Sequence, residues 1–94
     1  MAGKYIVVGN KNLAVEKAIV FSPIEDHAEI ASRFTGGALE VLGAGFVSIG
    51  QNEQGELCVG CYGESHSLKV KSRGHLDGHA VKWAIFGDES VNYR

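Results

Sequence analysis

The chain has 94 residues, 45% hydrophobic and 21% charged, with 13 glycines and a formal net charge of −2. That length suits one domain with a small core, and the balance is that of a folded chain rather than a disordered one. The slight acidic surplus argues against a dedicated nucleic-acid binder, which carries a basic surplus. No run is apolar and long enough to span a membrane, and MAGKYIVVGN is too short in its apolar part for a signal peptide, so a cytoplasmic protein is expected. Two cysteines make no disulfide framework.

In chain order, KYIVV at 4–8 reads as a buried strand, β-branched and stopped by Gly9-Asn10. EKAIVF at 16–21 reads as a second strand, with NKNLA as the hairpin loop between them. Ser22-Pro23 breaks that strand, and a short amphipathic helix follows. It has two possible starts. Ser22 can cap, with Pro23 in the first turn and Glu25 completing a capping box; or Asp26 can cap, with Glu29 three residues on. Gly36-Gly37 is the expected stop. AGFVSIG at 44–50 and ELCVGCY at 56–62 read as strands joined by the turn QNEQG. Residues 64–74 read as a polar loop. A second helix is expected over 75–86, with Leu76, Ala80, Trp83 and Ala84 on its inner face and Gly87 as its stop. Gly78 inside it costs roughly 1 kcal/mol against alanine. DESVNYR, at 88–94, is expected to fray.

The expected fold is therefore α+β, in the order ββαββα, as a single domain over 1–94 with its ordered core at 4–87. The expected core includes Ile6, Val8, Val20, Phe34, Val47, Val59, Trp83 and Ala84.

Cys58, Cys61, His75 and His79 are spaced C-x2-C-x13-H-x3-H, near a zinc-finger pattern. The positions between the pairs lack the aromatic and the leucine such a finger needs. The cysteines also stand three apart on one strand, which points them to opposite faces. No metal site is expected there. Lys69, Lys71 and Arg73 form a period-2 basic run that reads first as a solvated edge.

Three dispersed places carry chemistry of a consistent kind. Lys4 opens the first strand, His27 sits at the front of the first helix in EDHAEI, and Ser65 lies in CYGES after the fourth strand. Phosphoryl transfer calls for a fixed cation, for backbone N–H groups aimed at one spot, and for a group that exchanges protons near neutral pH.

KYIVV, EDHAEI, GAGFVSI and CYGES, in that order and roughly at these intervals over residues 4–66, resemble the Janus/Ocnus family, the phosphohistidine phosphatase-like proteins. The resemblance implies a small α+β protein that removes phosphate from phosphohistidine without metal or other cofactor. It implies that His27 is the catalytic histidine, as base or nucleophile, and that Lys4 binds phosphate. Ala28, Ser65 and Ser67 match positions whose backbone amides hold the phosphate. The implied partner is a phosphorylated protein or a small phosphoramidate, with no nucleic acid and no membrane. Such a site requires the Asp26 helix start, because a helix capped at Ser22 already uses the amides of His27 and Ala28. The chain departs from the family pattern at Asp26 and Glu64, where the family carries aromatics. A like charge some 4 Å from a phosphate costs about 4 kcal/mol at an effective dielectric near 20. A non-catalytic anion- or protein-binding module is the alternative on the same fold.

Overall fold

The computed structural model describes residues 2–10, 12 and 15–87. The expected tail at 88–94 and most of the loop NKNLA lie outside the described residues. The run of β-branched residues near the N-terminus forms β1 (Ala2–Asn10), buried from Tyr5 to Gly9 on both faces. A strand covered on both sides has no polar face, which is why it reads as a continuous apolar run. β2 (Val15–Phe21) and β3 (Glu40–Gln51) pair antiparallel on either side of it, and β4 (Leu57–Tyr62) pairs with β3. The four-stranded order is β2-β1-β3-β4.

Alternation along β1 sends its side chains into two separate cores. Tyr5 and Val7 meet Ala18, Val47, Val59 and Val81 on one face. Ile6 and Val8 meet Ile30, Ala31 and Ala44 on the other. Each fully buried aliphatic side chain contributes roughly 1.5–3 kcal/mol. The first core is roofed by α2 (His75–Phe86), the second by α1 (His27–Ala31) and by a two-stranded ribbon, β5 (Glu64–Ser65) with β6 (Val70–Lys71). The expected α+β class holds. The segment expected as a plain polar loop contains this ribbon, whose strands are two residues each and too short to carry a periodic signal.

The structure decides between the two helix starts. Glu25 N–H donates to the Ser22 carbonyl at 3.0 Å, so Ser22–Glu25 is a tight turn. Asp26 is the N-cap residue, with extended φ −90° and ψ 136°, and α1 begins at His27. The helix is five residues long and stops at Ala31, well before the expected Gly36-Gly37. Ser32 Oγ donates back to the Glu29 carbonyl and Thr35 Oγ1 to that of Ala31, tying down the last turn. Phe34, expected in the core, lies past this stop and is 41% exposed.

The second helix has the expected length and ends on Gly87, but it is rotated about its axis. Asp77, Gly78, Val81 and Lys82 face inward. Leu76 is 63% exposed, Trp83 51% exposed, and Ala84 is also outside. This corrects the expectation that Trp83 and Ala84 are core residues. The cause is a polar anchor. The Tyr5 hydroxyl donates to Asp77 Oδ2 at 2.6 Å and lies 2.7 Å from Ser72 Oγ. Arg73 donates to Asp77 through its backbone N–H at 2.9 Å and through Nε at 2.7 Å. The other arm of the guanidinium grips both carboxylate oxygens of Glu16, at 2.8 and 3.1 Å. A buried carboxylate without these partners would be costly, so the set fixes which side of α2 faces the sheet. Gly43 completes the fit: a Cβ there would overlap the Asp77 carboxyl group, so β3 must carry glycine where the acid packs against it. A bulge in the β1–β3 pairing falls beside it, between Val7 and Val8.

Candidate functional site

Lys4 lies on the α1 face of β1, with Phe21 of β2 and Phe46 of β3 as its cross-strand neighbours. Those two rings also hold His27. Its imidazole meets Phe21 edge-on at a centroid distance of 5.5 Å and Phe46 edge-on at 6.0 Å. Tyr62 stacks behind Phe46 at 5.9 Å. The histidine is only 4% exposed. A carbonyl oxygen can only accept, so the 2.8 Å contact between His27 Nε2 and the Gly45 oxygen makes Nε2 the protonated nitrogen. In the neutral ring this leaves Nδ1 with the lone pair. Among the described residues no buried side-chain nitrogen or oxygen lacks a partner, and Nδ1 has no protein partner, so it is the part of the ring open to the cavity.

That cavity, about 250 Å³, is lined by Lys4, Asp26, His27, Phe46, Glu64, His66 and Ser67. Lys4 Nζ donates to the Glu25 carbonyl at 2.9 Å, which ties the turn before α1 to the central strand. Ser67 Oγ donates to Asp26 Oδ1 at 3.1 Å and thereby closes the ribbon over the front of α1. Asp26 does not cap α1 with its side chain; its carboxylate turns to Ser67 instead. Ser65 is buried, and its Oγ accepts the Leu68 N–H at 3.2 Å and lies 3.3 Å from Ser67 Oγ. These bonds hold the 65–68 turn in one shape.

Of the residues singled out from sequence, Lys4, His27 and Ser67 share the cavity. Ser65 supports its wall from behind. Ala28 follows His27 in the first turn of α1, where helical geometry leaves the amides of the first residues without intrahelical acceptors. Phe21, Gly45 and His66 escape a sequence reading. Phe21 and Gly45 act through cross-strand register and a backbone carbonyl, which a single sequence does not display.

Family models, curated proteins and solved structures were all compared with the chain, and none matches.

The charge of the site is mixed. Two carboxylates, Asp26 and Glu64, face one permanent cation, Lys4. Glu64 is half-buried and lines the cavity, so its negative charge belongs to the site.

A larger cavity, about 400 Å³, lies on the other face of the sheet between β4 and α2, lined in part by Cys61, His75, His79 and Lys82. Burial, and then the nearby Asp77, push the Cys61 thiol up to about 11, which leaves it protonated and a poor nucleophile at neutral pH. Cys58 is absent from that lining and its thiol contacts the Glu56 carbonyl. Among the described residues no three His, Cys, Asp or Glu side chains converge closely enough to hold a metal ion. No helix among them is long and apolar enough to cross a membrane. Both cavities hold histidine and lysine; the smaller one is where Lys4, His27 and Ser67 come together.

Proposed function

We propose that the chain is a metal-independent, Janus/Ocnus-like phosphatase acting in the cytoplasm on a phosphoramidate bond, with phosphohistidine in a protein or a small phosphoramidate as substrate. The observation that carries this reading is the state of His27: buried, clamped between two aromatic rings, its Nε2–H held by the Gly45 carbonyl and its Nδ1 open to a cavity shared with Lys4. A histidine serving only the core has no need of an open nitrogen in a cavity that Lys4 also lines.

The chemistry asked of the site is modest. A P–N bond becomes labile once its nitrogen is protonated, so the protein has to hold the phosphoryl group and supply one lone pair. Lys4 Nζ supplies the positive charge, and the amides of His27 and Ala28 and of the Ser65–Ser67 turn supply N–H donors. His27 Nδ1 gives its lone pair to phosphorus or to a proton of the attacking water. The fixed tautomer contributes preorganisation, since no ring rotation has to precede the step.

A second reading is favoured by one specific observation. The two carboxylates in the cavity outnumber its permanent cation, which suits a module that binds a partner without turnover. The two readings separate in one assay. Chelator-treated protein is given phosphohistidine and phosphoramidate, and phosphate release is followed beside binding of inorganic phosphate. Catalytic release supports the phosphatase. Binding without release supports the module and removes the phosphatase.

A further inference from the structure

We propose that Glu64 is a specificity-determining residue, and that it selects N-phosphorylated guanidines, such as phosphoarginine, over O-phosphate esters. This rests on the phosphatase reading of the same cavity and narrows its substrate class.

Of the two acids in the cavity, Glu64 is the available one. Asp26 already accepts the Ser67 hydroxyl at 3.1 Å. Glu64 lines the same cavity half-buried, and its carboxylate has no hydrogen-bond or ion-pair partner among the described residues. Lys71 stands opposite it in the β5–β6 register but makes no ion pair with it. The ribbon therefore presents a free carboxylate to the substrate space, on a backbone fixed by the buried Ser65 next to it.

The permanent charges then define the ligand. Lys4 offers a place for a phosphoryl anion, while Glu64 repels one. A substrate satisfies both only if it is a zwitterion, with its phosphoryl group at Lys4 and a cation near it at Glu64. A phosphorylated guanidine has that layout: three anionic oxygens on phosphorus, and a planar cation that pairs bidentately with a carboxylate. An O-phosphate ester has no cation at its leaving group and meets Glu64 only as repulsion.

The step balances. Water oxygen forms the new P–O bond, and the P–N bond breaks with its electron pair going to nitrogen. One water proton reaches that nitrogen by way of His27, and the products are a guanidinium and hydrogen phosphate. The leaving group is cationic before and after, so a carboxylate beside it is favourable throughout.

The test compares wild type with Glu64→Gln, a change that keeps shape and removes charge at a residue in contact with solvent. Rates on phosphoarginine and on para-nitrophenyl phosphate are measured for both, together with their melting curves. Wild type should prefer phosphoarginine, and the variant should lose about tenfold or more of the kcat/KM ratio between the two substrates, with unchanged melting. Such a loss matches one charge-assisted pair. If wild type hydrolyses phosphoramidates and the ratio survives the substitution, this assignment of Glu64 is overturned while the phosphatase reading stands. If wild type hydrolyses no phosphoramidate at all, both are overturned.

Discussion

Asp77→Ala is the sharpest test of what holds α2 in its observed rotation. The side chain is fully buried and accepts from the Tyr5 hydroxyl, the Arg73 amide and Arg73 Nε. Removing it takes one of two partners from the buried Tyr5 hydroxyl, at about 1 kcal/mol, since Ser72 Oγ remains at 2.7 Å. It also breaks a short charge-assisted pair, whose loss in a buried site costs about 3–5 kcal/mol when the partner charge is stranded. Arg73 is not stranded, because Glu16 keeps its other arm, so a total of about 3–4 kcal/mol is the reasonable sum. A domain of this size has on the order of 5–15 kcal/mol in all. At about 4–8 °C per kcal/mol, a 3 kcal/mol loss lowers Tm by about 12–24 °C. Circular dichroism melts and urea titrations measure it. Trp83, the one tryptophan, gives a second readout through its emission, since it is solvent-facing only while the anchor holds. A loss below about 1 kcal/mol, with Trp83 emission unchanged, would refute the claim that the network sets the rotation.

Other outcomes follow from the same geometry. Gly45→Ala places a Cβ 2.4 Å from the Tyr62 carbonyl oxygen, so β3 and the end of β4 must part, and the carbonyl that holds His27 moves with them. It should cost about 1–3 kcal/mol in urea unfolding and at least about tenfold in turnover; unchanged turnover would show that the Gly45–His27 bond is not a positioning contact. Lys4→Ala should weaken inhibition by inorganic phosphate about tenfold, and an unaltered inhibition constant would remove Lys4 from the phosphate site. Arg73 holds the Glu16 carboxyl below its usual range through their hydrogen bonds. Because the folded value is the lower one, this pair's contribution is present above the ordinary glutamate value of about 4.3 and is lost as pH falls through the folded value. Glu16→Gln should therefore cost less than about 1 kcal/mol near neutrality and flatten the fall in stability below about pH 4, measured by urea titrations across that range; an equally steep fall in the variant would place the acid sensitivity elsewhere.

Much of the fold is visible in the order of residues because the strongest signals are local. The four long strands announce themselves as short apolar runs bounded by glycine or by Ser22-Pro23, and Gly87 ends α2 where a left-handed residue is needed, with φ 60° and ψ 22°. The rotation of α2 is not local. Asp77 looks like a solvent-facing helix acid beside the apolar stripe of Leu76, Ala80 and Trp83, and the partner that ties it to the sheet, Tyr5, is 72 residues away. A stripe count therefore chooses the wrong face. Asp26 and Ser22 are both plausible caps by type, and only the turn hydrogen bond from Glu25 to Ser22 separates them. The candidate site shows the same division. His27, Lys4 and Ser67 draw attention through residue type and a resemblance in motif order. The rings of Phe21 and Phe46 that clamp His27 are set by strand register, in which both stand opposite Lys4. The partner of Nε2 is a glycine carbonyl, a group every residue possesses.

The most direct measurement is phosphate release from phosphohistidine by metal-free wild type beside His27→Ala, with circular dichroism confirming that both are folded. Turnover by wild type that falls at least about a hundredfold in the variant is expected of a histidine that acts as base or nucleophile. Full turnover by folded His27→Ala would contradict the site, and no turnover by wild type would contradict the phosphatase itself.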